Sequence, residues 1–426
     1  MEILVAIIIF LCLIMIGVPI AWVLGLTTLG TLAVSGNPNW FLMFTPISFS
    51  AADNFTMLAV PLYVLVGEVM IRSGVAKRLV SFSMAMLGHI RGGLGYVNIL
   101  ASMFLASCMG SSAAEAAVMC PIMVEPMEKA GYEKDFAAAL TAAASIMGPV
   151  IPPSMVFIVY GVIANVSIGA MFIAGIIPGI LLGISFALIN FWYARKHKLV
   201  TVARGNIKQI SFSLLEAIPS LMVPVIIMGG IFTGFYTTTE SAVGAAAYSA
   251  ILGFIYRELK VKDLVGIFLR TGIVSASIVV ITSTAYTFGW VTAMLNVPDI
   301  LAKFLSTITT NQILLLLILN GLFLFIGCVM EGIAAMNILV PVIVPVAVGF
   351  GIDPLHLGMV ITINLIIGLI TPPVGLSLFV TSSVTGISIE KISRQLIPFI
   401  VSSAIILLLI ILIPDLVLLL PKMVLR

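Results

Sequence analysis

The chain has 426 residues, of which 61% are hydrophobic and only 9% are charged, and its formal net charge at pH 7 is +3. Soluble domains carry about 25% charged residues, so this composition excludes an ordinary soluble protein and indicates an all-α protein that crosses a membrane several times. The small net charge gives no support for nucleic-acid binding. The cysteines have no paired spacing that would favour a disulfide or a zinc site: Cys12, Cys108, Cys120 and Cys328.

The hydropathy pattern predicts ten full or partial membrane spans. The first span begins directly after Met1-Glu2, which lack the basic residues of a cleavable signal. An amphipathic stretch from Lys77 to His89 predicts a helix along the membrane surface, with Pro298–Ile308 as its partner, although a solvated connecting helix explains the same charges. The predicted spans are 3–20, 22–45, 56–71, 136–165, 168–194, 214–233, 238–256, 264–290, 356–385 and 395–420.

Two regions between these spans, 92–128 and 311–348, are too long for one span and are interrupted near the middle by small or polar residues. The first interruption is Ser107–Ala113 and the second is Gly327–Gly332. Each region is predicted to form a re-entrant hairpin, in which two helices meet at a tip near the membrane centre and return to the same face.

Two segments from different halves of the chain repeat each other, and each contains a Pro-Pro pair in an apolar run. They are Gly148–Ser154 and Gly368–Val374. Proline removes an amide donor and clashes with the preceding turn, so each pair predicts an unwound stretch whose carbonyl groups could bind a cation. Interrupted helices in corresponding halves are typical of a transport site, whereas a buried kink is the alternative for either segment alone. Further positions in the same register are Pro121 and Pro341, and Gly131 and Gly351.

The distribution of basic residues predicts that the two halves have opposite orientations in the membrane. Many basic residues lie beside the first hairpin, whereas the second has essentially Lys303 alone. Because positive loops stay in the cytoplasm, the first hairpin should start from the cytoplasm and the second from outside, with both termini periplasmic. The basic residues beside the first hairpin are Arg72, Lys77, Arg78, Arg91, Lys129 and Lys134.

Acidic and hydroxyl side chains near the tips are the candidate binding groups. Ser112 stands three residues before Glu115, which is the spacing of a capping box, and such a helix start offers N–H groups to an anion. Glu68 and Glu240 are acids in apolar surroundings, which makes them candidates for function, including a proton relay, and the favoured alternative is that they are hydrogen-bond partners of helix ends. Glu331, at the second tip, is predicted to lie near substrate or ion.

Seven sequence strings in order resemble the large membrane subunit (DctM-like) of tripartite ATP-independent periplasmic (TRAP) transporters, and the likeness covers nearly the whole chain. Two positions depart from the family: Thr237–Glu240 reads Thr-Thr-Thr-Glu instead of Thr-Pro-Thr-Glu, and Glu331 replaces the usual aspartate. The strings are Ala59–Met70, Arg91–Leu94, Gly110–Glu115, Gly148–Ser154, Gly229–Glu240, Gly351–Pro354 and Thr371–Gly375.

The resemblance implies a multi-pass protein of the bacterial inner membrane that imports an organic acid, of the sialic acid or C4-dicarboxylate type. Na⁺ is the implied coupling ion, with no other cofactor. The implied partners are a small membrane subunit with four spans and a periplasmic substrate-binding protein. The implied mechanism is of the elevator type, in which a transport domain moves against a scaffold.

On this basis the chain divides into inverted repeats of scaffold and transport segments. The first repeat has scaffold spans and an arm helix in 1–91, then a hairpin, a broken helix and a span in 92–194. A cytoplasmic linker, 195–213, precedes the second repeat, with scaffold in 214–310 and hairpin, broken helix and final span in 311–426. The transport domain is predicted to be mainly 92–165 and 311–385.

The resemblance places two sodium sites at the tips and breaks, with the substrate carboxylate held between the tips. The alternatives are a sodium-coupled divalent-anion carrier without a binding protein, and a membrane-embedded enzyme that uses Glu331 or Glu115. The predicted sodium ligands are Ser107, Gly110, Ser111, Ser112, Gly148, Val150, Gly327, Cys328, Gly368 and Thr371. The predicted substrate-binding residues are Ser112, Pro153, Ser154, Glu331, Gly332, Pro373 and Val374.

Overall fold

The computed structural model describes residues 2–199 and 207–424, and within these ranges the secondary structure is helical, without strands. A helix pairs its backbone N–H and C=O groups internally, which an apolar membrane environment requires. Seven described helices are long and apolar enough to cross a membrane, which confirms a multi-pass membrane protein. They are Phe55–Arg72, Ile168–Lys196, Phe212–Phe232, Val261–Met294, Gln312–Val329, Gly332–Gly349 and Ile389–Leu412.

The helices of the first half end at Lys196, inside the predicted linker, and residues 200–206 lie outside the described part of the chain. A single 3-10 turn, Phe55–Leu58, precedes α4. The helices are α1 (Glu2–Met15), α2 (Ile20–Val34), α3 (Pro38–Ala52), α4 (Ala59–Arg72), α5 (Val75–Leu87), α6 (Gly93–Met109), α7 (Ser112–Lys129), α8 (Lys134–Ser145), α9 (Met155–Ala164) and α10 (Ile168–Lys196).

The helices of the second half follow nearly the same order. They are α11 (Ile207–Phe232), α12 (Thr238–Ile255), α13 (Val261–Met294), α14 (Val297–Ile308), α15 (Gln312–Val329), α16 (Gly332–Gly349), α17 (Pro354–Gly368), α18 (Leu376–Thr385), α19 (Ile389–Leu412) and α20 (Asp415–Val424). When the two halves are aligned with Gly148 on Gly368, α7 coincides with α16 at both ends. The helix bounds therefore follow the register that the proline pairs indicated.

Both predicted hairpins consist of two helices separated by two residues. In the first, Gly110 has a left-handed backbone (φ 58°), which glycine adopts without a steric cost, and Ser111 is extended. In the second, Met330 and Glu331 are both extended. Each pair ends one helix and starts the next, so helix–break–helix segments lie where the sequence predicted them.

The two predicted broken helices are also interrupted at the proline pairs. Residues 146–154 separate α8 from α9, and residues 369–375 separate α17 from α18. The bonds Pro152–Pro153 and Pro372–Pro373 are both cis. Most of α8 and α17 is buried, including every residue from Phe136 to Ser145, so the breaks begin from the centre of the molecule.

Three span predictions were wrong in detail. The predicted span 22–45 is two helices, because α2 ends at Val34 and Asn37 caps α3. The predicted span 395–420 is interrupted between α19 and α20, where Pro414 follows Ile413. The run 56–71 begins as a 3-10 turn. Hydropathy responds to apolar content and missed these short interruptions.

The interpretation of two acids as helix-end partners was half correct. Glu240 forms a capping box with Thr237, whose N–H donates to Oε2 of Glu240 at 2.8 Å. Glu68 instead lies within α4, with Oε2 3.8 Å from Nη1 of Arg270 and no hydrogen-bond partner in the described residues. Within the described residues it makes no hydrogen bond to a helix end, so that prediction was wrong.

A buried hydrogen-bond network attaches α10 to the start of the first hairpin. The Tyr132 hydroxyl donates to the carbonyl of Gly92 (2.7 Å) and accepts from the amide of Gly95 (3.1 Å). Nδ2 of Asn190, on α10, donates to the same Gly92 carbonyl at 3.0 Å. One hydroxyl therefore connects the residues between α7 and α8 to the backbone that begins α6.

Removing this hydroxyl should destabilise the fold. Tyr132→Phe removes the hydrogen bonds that this hydroxyl donates to the Gly92 carbonyl and accepts from the Gly95 amide, and the amide keeps only its 3.1 Å bond to the Gly92 carbonyl. Each lost bond is worth roughly 0.5–1.5 kcal/mol. We expect a lower midpoint of thermal unfolding for the purified protein in detergent. Tyr236→Phe is the control because its side chain is 56% exposed. Equal midpoints for both variants would show that the network does not stabilise the fold.

Candidate functional site

The first tip lies directly against the first break. The space beside Gly148 is bounded by Oε2 of Glu115, 2.7 Å from where a Cβ would stand, and by the backbone of Ser111. On the other side, Gly110 lies next to the amide of Met155 and the carbonyl of Pro153. The start of α7 and both ends of the first break therefore meet at one place, as the repeat pattern predicted.

Three buried serines from different parts of the chain meet at this tip. The Ser112 hydroxyl is 3.2 Å from that of Ser145, at the end of α8, and 2.5 Å from that of Ser377, at the start of α18. Ser145 also donates to the carbonyl of Ala142. These contacts connect the first tip to both halves of the chain. They give the site hydroxyl oxygens beyond those that the sequence indicated.

The predicted capping box at the first tip was wrong. Helix α7 begins one residue earlier than that pattern requires, so Ser111 is the N-cap and makes no side-chain cap hydrogen bond. Ser112 is then the first helical residue, and its hydroxyl joins the serine cluster instead. Glu115 falls one position beyond the residue that could reach back to the cap.

Glu115 is fully buried beside the first break. The Ser102 hydroxyl lies close enough to act on it electrostatically, but within the described residues neither carboxyl oxygen has a partner in hydrogen-bond geometry. Burying an acid without a hydrogen-bond partner costs free energy. A ligand bound to Glu115 would offset that cost. The sequence interpretation had assigned this side chain to helix capping.

The second tip lies equally close to the second break. A Cβ at Gly368 would overlap the backbone carbonyl carbon of Gly327, whose Cα and O are each 2.6 Å from that position. The amide of Gly375 donates to the carbonyl of Cys328 at 3.2 Å. Thr371 donates its hydroxyl to Ile367 at 2.7 Å, so the lone pairs of that oxygen remain available to accept.

Glu331 occupies the cap position of α16, where its Oε2 accepts from the amide of Ala334 at 3.1 Å. In the register that aligns Gly148 with Gly368, it matches Ser111 in the other half. The second tip therefore carries an acid at the helix start, where the first carries a hydroxyl. Contact of Glu331 with substrate or ion stays a prediction.

The two breaks differ in burial. Pro152, Pro153 and Ser154 are buried, and the Ser154 hydroxyl donates to the carbonyl of Pro149 at 2.6 Å. Their counterparts Pro372, Pro373 and Val374 are exposed, with Val374 45% accessible. The second break is thus the one that faces the exterior of the molecule.

The structure brings most of the predicted site residues together around two tip–break contacts. Val150 was predicted to be a sodium ligand, but its carbonyl lies against Gly175 of α10. The side chain of Ser107 lies outside the described part of the chain. Helix α7 packs on α18 and helix α16 packs on α9, so each hairpin also contacts the other half.

Residues 7–416 match the family described as "Tripartite ATP-independent periplasmic transporter, DctM component". The chain belongs to this family. The resemblance that the seven sequence strings indicated is thereby confirmed.

Relatives of this DctM-family chain carry the same kind of name. The "Sialic acid TRAP transporter large permease protein SiaM" of Vibrio cholerae is 39% identical over 386 residues, which cover 89% of this chain and 90% of that protein. The "C4-dicarboxylate TRAP transporter large permease protein DctM" of Pseudomonas aeruginosa is 37% identical over 390 residues, 89% of this chain and 91% of that one. The chain is therefore a transporter permease and not an enzyme, which removes the enzymatic alternative.

A solved structure shares the fold of this DctM-family chain. The YdaH transporter of Alcanivorax borkumensis superposes with a TM-score of 0.65 over 87% of each chain, at 17% sequence identity. At that identity the likeness concerns the arrangement of helices alone.

Three polar residues at the first tip were missed or misassigned by sequence reasoning. Ser145 stands one turn before Gly148 and Ser377 stands four residues after Pro373, so both are close to a break in sequence. A search for hydroxyls near each proline pair could have included them. Glu115 was assigned a cap because its local spacing fits one.

Proposed function

We propose that this DctM-family permease imports an organic acid by sodium-coupled secondary transport, with cations bound at the two tip–break contacts. The observation that carries the proposal is the buried first contact, where Glu115, the serine cluster and the unwound segment 146–154 converge. Carboxylate, hydroxyl and carbonyl oxygens suit a small hard cation.

The substrate carboxylate is proposed to lie between the tips. The start of α7 presents backbone N–H groups without a side-chain cap hydrogen bond, whereas at the start of α16 the amide of Ala334 is already bound by Glu331. Helix N-termini favour anions. Ser112 and Gly332 begin these helices. Binding of the cations on the inner side of each tip would hold these starts in place, which couples ion binding to substrate binding.

The proposed movement is of the elevator type, with inverted repeats. The coincidence of the bounds of α7 and α16 in the repeat register supports two equivalent halves, and the cross-packing of α7 on α18 and α16 on α9 joins the hairpins and breaks into one body. The amphipathic helices α5 and α14 are proposed to be the arms that connect this body to a scaffold. We place both termini in the periplasm, on the charge argument.

The proposed partners are a small membrane subunit and a periplasmic substrate-binding protein, and the proposed location is the bacterial inner membrane. The family name and the names of both relatives support a multi-component transporter. The substrate is proposed to be of the sialic acid or C4-dicarboxylate class, because the relatives transport these two acids by name.

Uptake into liposomes tests the proposal. The permease, reconstituted with its small subunit and supplied with the purified binding protein, should accumulate radiolabelled sialic acid or succinate only when a sodium gradient points inward. A potassium gradient of equal size is the control. Uptake that is indifferent to sodium would reject the ion sites, whereas uptake without the binding protein would support a carrier that acts alone.

A further inference from the structure

A large groove lies on the outer surface of the molecule, away from the tips and breaks. It has a volume of about 1050 Å³ and runs between α10 and α19, with Phe136 of α8 among its lining residues. Its walls include Leu188 and Ile405, which are 58% and 53% exposed. We call this feature the α10–α19 groove.

The floor of the α10–α19 groove is closed by packed side chains. The rings of Phe136 and Tyr193 are stacked with centroids 3.5 Å apart, and Phe399 packs edge-on against Phe186. At the far end, the Ser185 hydroxyl is 3.4 Å from that of Ser402. The groove is therefore a depression in a closed surface rather than a gap between separable helices.

The length of the groove matches one leaflet of a bilayer. Its lining runs from Ser185 to Lys196 on α10 and from Gln395 to Ile406 on α19. At 1.5 Å per residue, each wall is about 16 Å long. The hydrocarbon core of a bilayer is about 30 Å thick, so each wall spans roughly half of it.

The end of the groove at Lys196 is rich in basic residues, although the carboxylate of Glu133 also lies there, 3.5 Å from Nε2 of Gln395. Arg195 and Lys196 line it, and a neighbouring cavity of about 540 Å³ shares Gln395 with it. That cavity adds three cations and one carboxylate: Lys134, Lys391, Arg394 and Asp135. Within the described residues, none of these five basic side chains has an ion-pair partner.

Two aromatic side chains favour a position of this basic end at the membrane boundary. Trp192 lines the groove one turn before Lys196 and is 76% exposed, a position typical of interfacial tryptophan. The Arg195 guanidinium lies 4.7 Å from the ring centroid of Phe191. These positions predict that the charges lie at the headgroup level, on the side that the charge pattern predicts to be cytoplasmic.

We propose that the α10–α19 groove binds a diacyl phospholipid with an anionic headgroup. The acyl chains lie along the apolar walls, and the phosphate end contacts Arg195, Lys196 and the adjoining cations. Basic pockets between membrane helices on the cytoplasmic side recognise such headgroups. A zwitterionic lipid gains the same apolar contact but less electrostatic attraction from these five basic side chains.

Native mass spectrometry of the purified, delipidated full chain tests this proposal without any transport measurement. Phosphatidylglycerol and phosphatidylcholine with identical acyl chains are titrated separately. The wild type should bind one phosphatidylglycerol at least about 25-fold more tightly than phosphatidylcholine, which corresponds to two cations at about 1 kcal/mol each. Each Lys or Arg near an anionic surface is worth about fivefold in affinity, so Arg195→Gln with Lys196→Gln should weaken phosphatidylglycerol about 25-fold and leave phosphatidylcholine nearly unchanged.

The matched control is Lys77→Gln with Lys262→Gln, which removes the same charge from exposed positions outside the groove. A second variant, Ser185→Trp, fills the far end and should weaken both lipids by a similar factor while retaining the preference. Equal affinities of the wild type for the two lipids, or equal effects of the two double variants, would overturn the proposal. Displacement of phosphatidylglycerol by 10 mM glycerol phosphate would overturn it in favour of a small-anion site.

Discussion

Gly368→Ala is expected to abolish uptake almost completely. The new Cβ would overlap the backbone of Gly327, and because backbone atoms cannot rotate away, the second tip and the second break must separate. Overpacking of this kind costs typically about 1–3 kcal/mol and sometimes more. Since the proposed second cation site needs these two segments in contact, we expect initial uptake rates below about a tenth of the wild type, together with a lower thermal midpoint.

The control for this substitution is Gly349→Ala. Gly349 is also the last residue of a helix in the second half, but an added Cβ there meets no atom within 4 Å. We expect wild-type uptake and an unchanged or slightly higher midpoint, because alanine favours helix over glycine. Normal transport by Gly368→Ala would contradict the close contact of tip and break.

Glu115→Gln should raise the sodium concentration that gives half-maximal uptake by more than tenfold. The amide keeps the shape of the side chain but cannot carry the negative charge that a bound cation would stabilise beside Gly148. Two unit charges 4 Å apart interact by about 4 kcal/mol at an effective dielectric constant of 20, so losing even half of that term exceeds a tenfold change. The measurement is the sodium dependence of initial uptake in liposomes.

Glu125→Gln is the matched control on the same helix. Glu125 is exposed and forms an ion pair with Lys129 at 2.7 Å, which solvent screens. Its sodium dependence should equal that of the wild type. If Glu115→Gln also left the sodium dependence unchanged while transport continued, Glu115 would not lie near the first cation.

The positions of the breaks could be predicted because proline acts locally. At Pro152–Pro153 and Pro372–Pro373 two adjacent residues lack amide hydrogens, and the helices are interrupted there, although α7 and α16 continue through single prolines. The glycines and polar residues near the tips, such as Gly110 and Glu331, indicated the hairpins. The repeat register then predicted which tip meets which break.

The contacts that complete the first site could not be predicted from local pattern. Ser112 and Ser377 lie 265 residues apart and meet only because α18 packs on α7. The role of Glu115 depended on where α7 starts, and a start one residue earlier moved it from a helix cap to a buried position facing the break. The α10–α19 groove likewise depends on how two distant helices pack.

The unequal burial of the breaks has a mechanical meaning. Ser154 is inaccessible, whereas Val374, at the corresponding place, is 45% accessible. Under the proposed elevator mechanism, the different exposure of these two equivalent segments indicates that the structure is one end state of the transport cycle. In this state, water reaches the site from one side of the membrane only. In the opposite end state, we expect Pro372–Val374 to be buried and Pro152–Ser154 to be exposed to water.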